Sequence, residues 1–113
     1  MDLKQMNTTL LLLFLAALLE AGGDAIVRTG LHASSQGSKV MWFISGGLVL
    51  FAYGYVVNAP SWDFGRLLGV YVVFFFVVAQ LISWVVFHQK PGNAVLVGGA
   101  FIVLGGIIIS YKS

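Results

Sequence analysis

Three charged side chains stand where charge is hardest to keep. Glu20, Asp24 and Arg28 follow an unbroken apolar run from Leu10 to Leu19, and each is four residues from the next. In a helix that spacing puts all three on one face, a turn apart. An ionised carboxylate facing lipid near the bilayer centre costs at least ~2.5–3.5 kcal/mol on insertion scales, so the Glu20 face is expected to turn toward protein or a water-filled cavity. Low dielectric favours the protonated acid. A carboxyl that keeps its proton until a cation displaces it suits proton–cation exchange, and Glu20 has no basic partner within one turn. Glu20 and Asp24 are therefore candidates for binding proton and substrate. The structural alternative makes Glu20 a buried hydrogen-bonding group and Asp24–Arg28 an ion pair near the membrane edge; for the pair, this structural reading is preferred. Tyr53 is a further candidate, through cation–π contact with a substrate, against the plainer reading of an aromatic packed on a neighbour.

The elements that must position these groups follow from composition. Of 113 residues, 59% are apolar and 9% charged, against about 25% charged in a typical soluble domain; a water-soluble fold is nearly excluded. Six Lys/Arg against four Asp/Glu give +2 with no basic cluster, which argues against a nucleic-acid module. Cysteine is absent, so there is no disulfide framework or thiolate chemistry. Neither a cofactor nor a metal is expected. His32 and His88 fall in loops, and no Ser/His/Asp set is spaced for catalysis, so the chain does not read as an enzyme.

Crossing hydrocarbon takes about 20 mostly apolar residues in a helix, because lipid leaves backbone groups unsatisfied. Four stretches qualify, at about 8–27, 40–57, 67–87 and 94–111, and residues 1–113 then form a single all-α transmembrane domain. A cleaved signal peptide is the rival reading for the first stretch, but no clean Ala-x-Ala site precedes the break and the apolar run resumes at Ala25, Ile26 and Val27. Polar and turn residues fill the connections Thr29–Lys39, Asn58–Asp63 and His88–Asn93. They are short, so successive helices are expected to be antiparallel neighbours. Gln80, midway along the third span, is expected to bond across a helix interface. Gly22 and Gly23, beside the acids, serve either close packing or substrate access.

The last span carries Gly98 and Gly105, and Gly99 and Gly106, each pair seven apart. Two helical turns return to nearly the same face, and a glycine strip lets another helix dock closely; a dimer contact is expected, with intramolecular packing as the alternative. Lys4, Arg66 and Lys112 fall on one side and Arg28, Lys39 and Lys90 on the other, so the bias that normally orients a membrane protein is missing. Four helices also enclose little of a hydrophilic path alone. Both points lead to a chain that inserts both ways and pairs as an antiparallel homodimer, placing two Glu20 carboxylates around one cavity.

An acid in the first of four short spans, a basic residue eight positions on and heptad glycines in the last span resemble the small multidrug resistance transporters. The likeness is greatest to the YnfA-like branch of that superfamily, through Leu19-Glu20-Ala21-Gly22-Gly23, Phe64-Gly65-Arg66 with Tyr71 five residues on, and Lys90 followed by Gly98 and Gly105. The resemblance implies proton-coupled export of small or lipophilic cations by an antiparallel dimer, in the cell (inner) membrane of a bacterium or archaeon. It gives Glu20 the role of binding proton and substrate in competition, and makes Tyr71 the aromatic that precedes the family's third-span glycines. Here Val72, Val73, Phe74 and Phe75 stand in place of those glycines, and Asp24 stands where the family has a small or weakly polar residue. The expected partners are the lipid bilayer, a second copy or a paralogue, and a small cationic substrate. The other reading left open is a non-transporting helical subunit that docks on a partner membrane protein.

Overall fold

The computed structural model describes residues 3–112, and these form four helices with no strand among the described residues. They are α1 (Leu3–Leu31), α2 (Gln36–Val57), α3 (Phe64–Val85) and α4 (Asn93–Lys112). Each is long and apolar enough to cross a membrane. The termini differ from the sequence expectation for local reasons. The 29 residues of α1 would extend ~43 Å at 1.5 Å per residue, about a turn more at each end than a hydrocarbon core of ~30 Å requires. α2 starts four residues before the apolar run because Ser35 caps it: the Ser38 N–H donates to Ser35 Oγ at 3.1 Å. α3 stops two residues short, at Val85, where the chain reverses through His88, whose φ is 58°. The Gln89 N–H then donates back to the Ser83 carbonyl at 2.9 Å.

α1 is the central element. α2 and α3 both pack on it, and α4 packs chiefly on α3. The molecule measures 50 × 33 × 20 Å, a slab of helices rather than a square bundle. Successive helices are thus neighbours for α1–α2 and α3–α4, but α2 and α3 do not pack along their backbones. They meet through side chains in front of α1. Small residues make α1 a good centre: Ala16 and Ala17 are fully buried, Ala21 nearly so, and with Leu13, Leu67, Val70 and Val78 they form the core. Gly23 and Gly46 bring α1 and α2 together. A methyl at Gly23 would lie 2.7 Å from Leu50 Cδ2, and one at Gly46 would lie 2.7 Å from Val27 Cγ2. Gly22 has nothing within that range, so of the adjacent glycines only Gly23 serves the helix contact.

Arg66 ties the far ends of α3 and α4. Its Nη2 donates to the Ser110 carbonyl at 3.3 Å, and its guanidinium sits 4.0 Å over the Trp62 ring. A cation against the last carbonyls of α4 complements the negative end of that helix.

Candidate functional site

Glu20 is half-buried on α1, and its carboxylate is engaged from α3. Tyr71 Oη donates to Glu20 Oε1 at 2.7 Å, a well-formed O–H···O bond. Tyr71 is held for this by burial: it is 4% exposed and belongs to the core. Its ring meets Tyr53 of α2 at 5.7 Å between centroids and Phe75 at 6.2 Å. Three helices therefore converge on one carboxyl, with α1 supplying the acid, α3 the hydroxyl and α2 a second phenol ring. Tyr53, Tyr71 and Glu20, distant in sequence, form one cluster.

Asp24 and Arg28 lie one and two turns further along the same face, in an open crevice of about 250 Å³ between α1 and α3. Phe75 and Ser83 of α3 and Phe87 and Gln89 of the following turn line its other side. Asp24 and Arg28 do not form the expected ion pair. The Arg28 guanidinium instead lies 5.4 Å from the Phe87 ring centroid, within cation–π range, and no carboxylate among the described residues comes within ion-pair distance of it. The physical reason is competition at the end of α1: a long side chain there reaches an aromatic face brought in from the α3–α4 turn as readily as the short Asp24 one turn back.

The four glycines of α4 divide. Gly99 and Gly106 are buried against α3, where an added methyl would collide with the Phe76 ring and with Val73. Gly69 of α3 receives Ile109 in the same way. Gly98 and Gly105 meet nothing within 4 Å. The expectation that all four serve a dimer contact is corrected for Gly99 and Gly106, which pack inside the protomer. Adjacent residues are ~100° apart around a helix, so two heptad pairs cannot share one strip.

A family model described as "Uncharacterised BCR, YnfA/UPF0060 family" matches residues 6–113. The chain belongs to the YnfA/UPF0060 family. Among its relatives, a UPF0060 membrane protein of Herpetosiphon aurantiacus is 30% identical over 95% of this chain and 96% of its own length. The UPF0060 membrane protein YfjF of Bacillus subtilis is 33% identical over 92% and 93%, and a UPF0060 membrane protein of Clostridium perfringens is 32% identical over 86% of each. These relatives are bacterial membrane proteins. No solved structure matches the chain.

Sequence reasoning missed the α3 side of the crevice in this YnfA/UPF0060 chain. A signal was present: Tyr71, Phe75, Ala79 and Ser83 recur every four residues and so share a face. Phe87 continues the count but lies beyond the helix end, and Gln89 reaches the crevice only through the turn at His88. Gln80 departs from its expected part. It is half-buried, about 100° around the helix from Ala79, and makes no hydrogen bond to another described residue.

Proposed function

We propose that this YnfA/UPF0060 protein is a proton-coupled exporter of small or lipophilic cations, related to the small multidrug resistance transporters and working in the bacterial cell membrane as an antiparallel homodimer. The observation that carries the reading is the Tyr71–Glu20 hydrogen bond of 2.7 Å. An intramembrane acid held by a buried phenol is oriented without a fixed positive charge beside it, so the carboxyl is left to exchange its own counter-charge. In the proposed cycle the carboxyl takes up a proton before the cation arrives. An incoming cation takes the place of that proton, which leaves to the opposite side, and Tyr71 keeps the carboxylate oriented while the cation sits against it. Tyr53 and Phe75 present ring faces to an organic cation, and Asp24 extends the acidic face toward the crevice mouth.

Two features support the dimer. The crevice is open on one side of a single protomer, and α4 presents Gly98 and Gly105 away from α3. Equal numbers of Lys/Arg on the two sides support opposite insertion of the two copies. The test is uptake into proteoliposomes under an imposed proton gradient, with guanidinium, quaternary ammonium and aromatic amines as probes. Glu20→Gln is expected to abolish gradient-driven uptake of every probe that the wild-type protein moves; undiminished uptake in that variant removes Glu20 from the mechanism.

One observation favours a second reading. α3 runs without a break through Val72, Val73, Phe74 and Phe75, where the transporters carry glycines, and a stiff α3 suits a static subunit that docks α4 on another membrane protein. A stoichiometric co-purifying membrane protein, together with no cation movement by the isolated chain, is the result that reading expects.

A further inference from the structure

Asp24 and Arg28 share a crevice without pairing. A site for cations alone is poorly served by that arrangement, since a guanidinium in the same small space repels the substrate that the carboxylate attracts. The pair would suit such a site only if Arg28 were neutralised, and it is not; it rests on Phe87 at 5.4 Å. A ligand carrying both charges would meet both groups at once. Each of its charges would be paired on entry, so neither the ligand nor the two side chains would keep an uncompensated charge beside hydrocarbon. Residues four apart on a helix have Cβ atoms ~5–6 Å apart, a span that the ammonium and carboxylate of an amino-acid-sized zwitterion can bridge from between them.

The remaining walls define the rest of the ligand. Phe75 and Phe87 give apolar aromatic surfaces, and Ser83 and Gln89 stand at the edge, where Ser83 Oγ lies 3.3 Å from both the Gln89 carbonyl and its Oε1. A crevice of about 250 Å³ has room for a small molecule. The geometry points to a binding site for small zwitterions with an apolar or aromatic side group, in which Asp24 takes the ammonium, Arg28 the carboxylate, and the two phenylalanines the side group. This rests on the transport reading above, because it names a substrate class for the crevice that adjoins Glu20 through Phe75 and Tyr71.

Three probes separate the charges: phenylalanine, its decarboxylated analogue phenethylamine, and its deaminated analogue 3-phenylpropanoate. Their equilibrium binding is measured on the full-length protein in lipid nanodiscs, where no gradient is present. Wild type is expected to bind phenylalanine about tenfold or more tighter than either analogue. Arg28→Gln is expected to erase the preference over phenethylamine, Arg28→Lys to retain part of it, and Asp24→Asn to erase the preference over 3-phenylpropanoate. Each readout is a ratio within one preparation, so partial misfolding of a variant does not imitate it. Failure to bind phenylalanine more tightly than phenethylamine, or a ratio unmoved by Arg28→Gln, overturns the zwitterion site. Glu20-dependent phenethylamine uptake without any phenylalanine preference would overturn this site while leaving the transport reading intact. A charge-dependent preference without Glu20-dependent uptake would uphold the site and remove the transport reading.

Discussion

α1 and α4 are both apolar helices with adjacent glycines, yet they are placed in opposite circumstances. α1 is covered by α2 on one side and α3 on another, and it carries Glu20 and Asp24, the two acids that fall within helices among the described residues. α4 is covered chiefly by α3, carries no acid, and leaves Gly98 and Gly105 open. Charge in a membrane helix is tolerable where neighbours supply hydrogen bonds or shield it from lipid, and only the central helix of the slab has neighbours enough. Smooth surface, by contrast, belongs at the edge, where close approach by another helix is the available way to bury it.

The contrast is tested most severely on α4. Val at Gly99 and Gly106 would drive side chains into Phe76 and Val73, and overpacking of this kind costs ~1–3 kcal/mol per site. The double variant is expected to lower the thermal unfolding midpoint in detergent well below that of wild type. Val at Gly98 and Gly105 meets open space, so it should leave that midpoint unchanged while lowering the cross-linking yield of the proposed dimer in membranes. Equal loss of stability from both pairs would mean that the two faces of α4 are not distinct.

The Glu20 end of the comparison is sharpened by Tyr71→Phe. The substitution keeps the ring that packs on Tyr53 and Phe75 and removes only the hydroxyl. A hydrogen bond to a charged group contributes ~1.5–3 kcal/mol, so under the proposed transport reading cation affinity is expected to change by roughly tenfold or more. An unchanged dissociation constant for every cation that the wild-type protein binds would show that the hydroxyl does not bear on the proposed exchange at the carboxyl. Tyr53→Phe, which removes a hydroxyl that makes no hydrogen bond to Glu20, serves as the matched control and is expected to shift affinity less.

These contrasts mark how far the sequence could be read. The four spans are written in apolar runs separated by turn residues, and the shared face of Glu20, Asp24 and Arg28 follows from a spacing of four. What spacing cannot state is which neighbour a face meets. Asp24 and Arg28 satisfy every local condition for an ion pair, and Arg28 goes instead to Phe87, a residue 59 positions later in the chain. Likewise, the heptad glycines of α4 are visible as two pairs, but only the packing of α3 decides which pair is occupied. The short connection between α2 and α3 gave no hint that both would pack chiefly on α1 and meet each other only through side chains, since a six-residue link is compatible with either arrangement.

A smaller effect tests the turn that sets α4 against α3 and carries Gln89 to the crevice. His88 has a φ of 58°, in the left-handed region where Asn and His are tolerated and β-branched residues are rare. Val there cannot take this conformation without strain of roughly 1–2 kcal/mol, whereas Asn can. His88→Val is therefore expected to lower the unfolding midpoint modestly and His88→Asn to leave it near wild type. Because the Gln89 N–H bonds to the Ser83 carbonyl just beyond this residue, the Val variant should also loosen the edge of the crevice, read as faster amide exchange at Gln89 with α1 unaffected. Slowed or unchanged exchange at Gln89 in that variant would show that the turn is held by the packing of α4 on α3 and not by the backbone at His88.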